Sequence, residues 1–157
     1  MTLTTFLFSA RGRIRRRDWW IFTVGFGVCA GLIEFGLLAS GQGFQKLATL
    51  GPVFITPLSC LILFISTIAQ WPIFCVNAKR LQDRGRPNAL GLVTPALALI
   101  NLTAFVNLMP AGLFLPMSGV GMVWGLAMLV ICGILPGQPG DNQYGPPPGT
   151  SPVHAVF

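Results

Sequence analysis

An all-α integral membrane protein with four transmembrane helices is what this sequence predicts, and three observations support that fold. First, 53% of the 157 residues are hydrophobic, and the mean hydropathy is +0.71. Second, charged residues make up only 9% of the chain, against about 25% in an ordinary soluble domain. This composition excludes a soluble globule, and its high hydrophobicity excludes a disordered chain. Third, the few charges are grouped, so that long uncharged stretches lie between them.

The weakly charged stretches are long enough for membrane-spanning helices, which need about 20 mostly apolar residues each. Residues 87–140 carry no charge, and residues 19–78 carry only Glu34 and Lys46. Each stretch therefore has room for two helices. The apolar runs are continuous rather than alternating, which argues against strands. The predicted spans are about 19–39, 53–76, 90–109 and 113–135.

Turn-forming residues separate these spans in chain order. Ser-Gly-Gln-Gly at residues 40–43 follows the first span, and Pro-Asn at residues 87–88 precedes the third. Pro-Ala-Gly at residues 110–112 makes a tight turn into the fourth span. An even number of crossings places both ends of the chain on the same side of the membrane.

The spans divide the chain into three parts. Residues 1–18 form a basic lead-in at the membrane surface, where apolar positions at helical spacing within residues 2–10 indicate an amphipathic segment. Residues 19–135 form the four-helix transmembrane domain. Residues 136–157 are a tail rich in Pro and Gly, which is expected to be extended or disordered after Tyr144.

The basic residues predict the orientation. Nine of the ten lie in the lead-in or in the loop between spans two and three, whereas Lys46 lies on the opposite side. Because short basic loops stay in the cytoplasm, both termini are predicted to be cytoplasmic. The same basic face is predicted to bind anionic lipid or a membrane-protein partner, since each basic residue near an anionic surface contributes about 1 kcal/mol. Its residues are Arg11, Arg13, Arg15, Arg16, Arg17, Lys79, Arg80, Arg84 and Arg86.

Two other interpretations of the basic residues are less favoured. A secretory signal peptide has an apolar core of about 7–15 residues, shorter than the run here, which Glu34 also interrupts, so we expect no cleavage. A pI near 9.9 is also typical of nucleic-acid-binding proteins. The arginines adjoin a membrane span, however, where anionic lipid is the nearest polyanion. We therefore expect lipid and a membrane protein or a second copy of the chain as partners, and no nucleic acid.

Polar residues within the spans allow more than one role. Glu34 is the strongest anomaly, because an intramembrane carboxylate is costly and often functional. It fits a packing or interfacial residue, a polar tie to another span, or part of a proton or ion path. A polar stripe on span two and an asparagine in span three indicate hydrogen bonds between helices or a narrow polar path for a solute. These residues are Ser59, Ser66, Gln70 and Asn101.

Nothing in the sequence indicates catalysis, a metal or a cofactor. The four cysteines fall in predicted spans without CxxC spacing, and the single histidine, His154, lies in the tail. Neither a zinc site nor a disulfide framework is therefore expected. The motifs of serine hydrolases, phosphate-binding loops and metalloproteases do not occur.

Three segments together resemble one protein family. Residues 8–20 contain a Gly-Arg pair, further arginines and two tryptophans, and residues 78–86 read Ala-Lys-Arg-Leu-Gln-Asp-Arg-Gly-Arg. The tail segment 137–146 reads Gly-Gln-Pro-Gly-Asp-Asn-Gln-Tyr-Gly-Pro. In this order and spacing they are similar to domain-of-unknown-function family 805, a group of small bacterial inner-membrane proteins. The resemblance implies a multi-pass location in the bacterial inner membrane and no particular activity.

The resemblance has departures, and it singles out residues of the tail. Gln82 stands where the family usually has His, so if that His takes up protons or binds metal in relatives, this chain cannot repeat that role. Residues 87–90, Pro-Asn-Ala-Leu, replace a stretch similar to Ser-Gly-Trp-Trp. Asp141 is expected either to pair with a cytoplasmic arginine and dock the tail, or to lie in a solvated turn. The tail motif also contains Asn142 and Tyr144.

The favoured function is a non-enzymatic accessory or assembly subunit. It would bind anionic lipid and a membrane-protein partner through its arginine-rich cytoplasmic face. The alternative is a small channel or transporter, with Glu34 and the polar stripe of span two lining the path.

Overall fold

The computed structural model describes residues 2–39, 57–105 and 111–149. Within these residues the regular elements are helical, and β-type pairing is limited to an isolated bridge between Asn142 and Gly145. The all-α class is therefore confirmed. The elements in chain order are α1 (Leu3–Phe8), α2 (Arg16–Ala39), α3 (Pro57–Asp83), a 3₁₀ turn (Asn88–Leu92), α4 (Val93–Phe105), α5 (Ala111–Met128) and a π-helical turn (Leu129–Ile134).

Helix α3 is longer than predicted, because it continues through the second basic cluster to Asp83 rather than ending near residue 76. It ends in a Schellman motif, in which a residue with positive φ closes the last turn. Gly85 has φ +66°, its N–H donates to the Gln82 carbonyl, and the Arg86 N–H donates to the Leu81 carbonyl. The charged residues 79–83 therefore lie on a helix and not in a loop.

The length and composition needed to cross a membrane are met by one helix in the described part of the chain. It covers Leu115–Ile134, with a mean hydropathy of 2.0, and Asn88–Asn101 is apolar but shorter. The described residues thus contain one candidate span by length and composition. The four-span, multi-pass arrangement remains a prediction.

The packed interior lies at one end of the molecule, where the start of α2, the end of α3 and the π-helical turn meet. The largest cluster of buried apolar residues consists of Ile14, Trp19, Val76, Leu81, Met128 and Cys132. Buried charged residues lie beside it, among them Lys79 and Arg80. Soluble proteins almost never bury such residues unless they are paired.

Away from this end the helices expose large apolar side chains. Leu115 is 79% exposed, and Leu32 and Met122 are each 66% exposed. Extended apolar surface of this kind marks a membrane or protein contact region. Charged side chains are thus buried at one end of the molecule, and apolar side chains are exposed along the helices. In a soluble helical bundle the apolar side chains are buried and the charged ones are exposed.

Polar side chains join α4 to α5. Ser118 Oγ donates to Asn101 Oδ1 at 3.1 Å, and Trp124 Nε1 donates to Thr94 Oγ1 at 3.1 Å. Asn101 also donates from Nδ2 to the Leu97 carbonyl of its own helix at 2.9 Å. Hydrogen bonds of this type between helices contribute about 0.6 kcal/mol each in a membrane.

The other polar residues predicted within the spans are only partly described. Gln70 donates from Nε2 to the Ser66 carbonyl at 3.2 Å, within helix α3, and its Oε1 has no partner among the described residues. The side chains of Glu34 and Ser59 lie outside the described residues, so their predicted roles stay predictions.

Candidate functional site

Three segments that are distant in sequence meet at the packed end, around one carboxylate. We call Arg13, Arg80 and Asp83 the arginine–aspartate cluster. Arg13 Nε donates to Asp83 Oδ1 at 3.0 Å, and Arg80 Nη1 donates to Asp83 Oδ2. The three side chains are only 2%, 1% and 5% exposed. One acidic group therefore pairs with two buried guanidinium groups, and the cluster keeps one net positive charge.

Arg13 also holds the tail. Its Nη1 donates to the carbonyl oxygens of Gly140 at 2.8 Å and Gly145 at 3.0 Å, and its Nη2 donates to that of Gln138 at 2.7 Å. The rigid fork of a guanidinium suits several acceptors at once. A residue of the lead-in thus fixes the first part of the tail.

The tail contacts the end of α3 directly as well. Gln138 donates its backbone N–H to the Asp83 carbonyl at 2.8 Å, and Asn142 Nδ2 donates to the Gln82 carbonyl at 2.9 Å. Asn142 Oδ1 accepts the Tyr144 backbone N–H at 2.9 Å, which shapes the turn. Asn142 therefore docks the tail, whereas Asp141 is exposed and takes no part in the ion pairs among the described residues.

Side chains also satisfy five consecutive carbonyl groups at the end of the last helix. A helix C-terminus leaves carbonyl groups without partners within the helix, and its partial negative charge favours cations. Three arginines and one tryptophan supply the donors here. The pairs are Arg84 with Ile131 (2.7 Å), Arg80 with Cys132 (2.7 Å), Trp20 with Gly133 (3.0 Å), Arg16 with Ile134 (2.9 Å) and Arg80 with Leu135 (2.7 Å).

Gly133 is required by the two tryptophans that cover this turn. A Cβ at this position would lie 2.9 Å from Cζ3 of Trp19 and 2.9 Å from Cζ2 of Trp20. We expect Gly133→Ala to lower the free energy of unfolding by about 1–3 kcal/mol, the usual cost of overpacking. Gly125→Ala is the matched control, because a Cβ there meets nothing within 4 Å. Thermal unfolding in detergent compares them, and equal midpoints would contradict the close packing at Gly133.

Lys79 is buried between α3 and the end of α1. Its Nζ donates to the carbonyl oxygens of Thr5 at 2.5 Å and Phe6 at 2.7 Å, and lies 5.5 Å from the centroid of the Phe6 ring. Burial lowers the pKa of Lys79 to about 8, while Cys75 one turn earlier acts in the opposite direction. In the same region burial lowers the pKa of Arg80, and the Asp83 carboxylate opposes that effect.

The lowered pKa of Lys79 predicts a pH dependence of stability. Between pH of about 8 and the ordinary pKa of 10.5, the unfolded chain binds more protons than the folded one. The free energy of unfolding therefore rises with pH across this window. We expect the thermal midpoint of wild type to gain several degrees relative to that of Lys79→Met across this window. Lys46→Met removes the other lysine of the chain and should keep the wild-type dependence of the midpoint on pH. Equal dependence on pH in all three proteins would contradict the lowered pKa of Lys79.

Two further contacts tie the lead-in and α2 to α3. Trp19 Nε1 donates to Asn77 Oδ1 at 2.9 Å, with both residues buried. Gln82 Nε2 donates to the Ala10 carbonyl at 2.9 Å, while its buried Oε1 meets no hydrogen-bond donor in the part of the chain that the structure describes. Gln82 is thus a connecting residue between two of the three motif segments.

The nine basic residues predicted to face lipid or a partner fall into three groups. Arg13, Lys79 and Arg80 are buried, and their donors bind acceptors of the same chain, so a contact role for these three does not fit the structure. Arg84 is half-buried. The exposed residues are Arg11, Arg15, Arg16, Arg17 and Arg86.

Sequence reasoning did not identify the central role of Asp83. A signal for it was present, because Asp83 is the sole acid within the second basic cluster. Asn77 was missed as well, since one amide at the end of an apolar run carries no pattern of its own. The carbonyl acceptors of the tail and the π-helical turn could not be predicted, because any residue type supplies them.

The fold and the site together define an all-helical protein with a candidate membrane span and a buried charged cluster at which three motif segments meet. The chain belongs to the DUF805 family. The sequence model of that family, described as a protein of unknown function, matches residues 7–146, which include Arg13, Asp83 and Asn142. The resemblance found in the three segments is therefore confirmed.

Relatives in Escherichia coli are similar along nearly the whole chain. The uncharacterized protein YiiR of strain K12 is 31% identical over 151 residues, which cover 92% of this chain and 89% of YiiR. The YiiR protein of strain O157:H7 matches with the same identity and coverage. No solved structure matches the chain significantly.

Proposed function

We propose that the protein is a four-span protein of the bacterial inner membrane with both termini in the cytoplasm. In this proposal it is a non-enzymatic accessory or assembly subunit. Its arginine-rich cytoplasmic face contacts anionic lipid and a membrane-protein partner. The observation that carries the proposal is the meeting of the lead-in, the end of α3 and the tail at one end of the molecule.

That meeting supports an even number of membrane crossings before Asp83 and an even number after it. Arg13 is bonded to Asp83, and Asp83 is bonded to Gln138, so all three groups lie on the same side of any membrane. Two crossings before Asp83, by α2 and α3, and two after it, by α4 and α5, satisfy this condition. The basic residues nearby favour the cytoplasmic side.

The exposed apolar side chains of α2, α3 and α5 support embedding of the helices in lipid. Ile21, Phe64 and Val123 are each 64–65% exposed. Transfer of such surface from water is favourable by roughly 25 cal/mol per Å². These apolar faces must therefore be covered either by lipid or by a partner protein.

The described polar side chains support a contact role rather than a conducting path. Asn101 and Thr94 of α4 are bonded to Ser118 and Trp124 of α5, and Gln70 is bonded to its own helix. Groups that satisfy one another in this way are typical of helix packing. The exposed arginines at the packed end are the charged groups still open to a partner.

Purification from native membranes in mild detergent tests this function. We expect wild type to carry phospholipid and a co-purifying membrane protein, and the triple variant Arg15→Glu, Arg16→Glu, Arg17→Glu to lose both. Arg11→Glu is the control for a single exposed charge in the same segment. The proposal is contradicted if the wild type is recovered as a lone monomer and the triple variant retains the same amounts of lipid and protein partner.

A further inference from the structure

A shallow cavity of about 310 Å³, largely open to its surroundings, lies next to the arginine–aspartate cluster. It is lined by Arg15 and Arg16 at the start of α2, by Arg80 and Asp83 of the cluster, and by tail residues 136–139. A volume of this size is at the lower end of the range for small-molecule sites, about 300–1,000 Å³. It therefore suits a small polar group better than a large ligand.

The cavity carries positive charge that the protein does not balance. Both oxygens of Asp83 are used by Arg13 and Arg80, so this carboxylate has no charge left for the cavity. Arg15 and Arg16 have no acidic partner among the described residues, in which the remaining ion pair joins Arg17 to Asp18. Two guanidinium groups thus line the cavity without a counter-charge.

Most of the donors on these two arginines bind no acceptor among the described residues, although Nη2 of Arg15 packs against Gly149. Arg15 uses Nε for the Pro148 carbonyl at 3.3 Å, and Arg16 uses Nη1 for the Ile134 carbonyl at 2.9 Å. The other guanidinium nitrogens of both residues bind no acceptor in the part of the chain that the structure describes. Guanidinium forks match the oxygen geometry of phosphate, which makes arginine the preferred residue for phosphate recognition.

The cavity lies at the end of the candidate span. Arg16 is bonded to Ile134, the last residue of that span, and Trp20 is bonded to Gly133 one residue earlier. Tryptophans are enriched at the level of lipid headgroups. A phospholipid beside this helix end would place its phosphate next to Arg15 and Arg16.

We propose that this cavity binds the phosphate group of an anionic phospholipid, with the guanidinium groups of Arg15 and Arg16 as its ligands. The inference rests on the proposed membrane arrangement and narrows the lipid contact from a broad basic face to two residues. A zwitterionic headgroup brings its own ammonium group and would not balance the two free positive charges. Phosphatidylglycerol is therefore the lipid with which to test the site.

The test is a lipid titration of the purified full chain in detergent, followed by native mass spectrometry. We expect saturable binding of phosphatidylglycerol and much weaker binding of phosphatidylcholine. Arg15→Gln and Arg16→Gln should each weaken phosphatidylglycerol binding by about tenfold or more, the usual effect of losing hydrogen bonds to a charged group. Arg11→Gln and Arg86→Gln remove the same charge from exposed sites outside the cavity and should change affinity by less than about twofold.

Arg15→Lys and Arg16→Lys keep the positive charge but lose the planar guanidinium group, so they should bind phosphatidylglycerol with intermediate affinity. Unfolding midpoints measured without lipid show whether each variant is folded. Equal losses in the two pairs of glutamine variants would overturn the proposal in favour of a diffuse basic surface. Binding of phosphatidylcholine as tight as that of phosphatidylglycerol would overturn it too. So would saturation by inorganic phosphate without binding of phosphatidylglycerol. Co-purification of a membrane protein is measured separately, so failure of the lipid site would leave the proposed function standing.

Discussion

Asp83→Asn is expected to lower the free energy of unfolding by about 3–5 kcal/mol, the largest effect of any single substitution considered. The amide keeps the shape of the carboxylate but removes its charge, which leaves Arg13 and Arg80 buried without a counter-charge. Removing one partner of a buried ion pair has this cost because the remaining charge stays desolvated. Chemical unfolding in detergent, followed by tryptophan fluorescence, measures the difference.

Asp18→Asn is the control for the same chemical change at the surface. Its partner Arg17 lies at 3.7 Å with 77% of its side chain exposed, so we expect a loss within about 1 kcal/mol. In a double-mutant cycle, Arg13→Gln combined with Asp83→Asn should cost less than the sum of the two single changes, because contacting residues are coupled. Equal losses for the two aspartate variants would contradict a special role for Asp83.

Arg13→Lys is expected to release the tail from the end of α3. An ammonium group cannot replace a fork that binds Asp83 and three tail carbonyl groups simultaneously. We expect a loss of about 3 kcal/mol, since hydrogen bonds to charged groups contribute about 1.5–3 kcal/mol each and part of them is retained. Hydrogen exchange of residues 138–145 should become faster, because their backbone contacts depend on this anchor.

Arg11→Lys provides the matched control for the tail anchor. Arg11 lies two residues earlier in the lead-in and is exposed, so this change should leave tail protection as in wild type. If Arg13→Lys leaves the exchange of residues 138–145 unchanged as well, Arg13 does not hold the tail.

The sequence predicted the helices well and the partners of their charges poorly. Continuous apolar runs indicated helices in all four regions, because backbone groups in apolar surroundings must be satisfied within the segment. The end of α3 was misplaced because the prediction stopped at the first charged residues. Lys79, Arg80 and Asp83 instead continue the helix, since their side chains are bonded inside the protein.

The pattern of basic residues could not distinguish buried from exposed arginines. The orientation of the chain depends on how many basic residues lie on each side of the membrane. That number is the same whether a guanidinium group faces lipid or binds a carbonyl group. Arg13 and Arg15 are two residues apart, yet Arg13 is buried in the cluster and Arg15 is exposed. In the tail, Asp141 was expected either to dock through an ion pair or to lie in a solvated turn, and its exposure fits the turn. The neighbouring Asn142 makes the docking contacts, which were not predicted because an ion pair is easier to anticipate than an amide that binds a carbonyl.

The most direct test of the four-span topology is labelling of single cysteines with a membrane-impermeant maleimide. The cysteines are introduced into a variant that lacks the four native ones. The probes are Thr4→Cys in the lead-in and Asp141→Cys in the tail, both at exposed positions, and Lys46→Cys between the first two predicted spans. With four spans and both termini in the cytoplasm, Thr4→Cys and Asp141→Cys should react only in inverted membrane vesicles, whereas Lys46→Cys should react in intact spheroplasts. Reaction of Thr4→Cys or Asp141→Cys from outside spheroplasts, or of Lys46→Cys only in inverted vesicles, would contradict this topology.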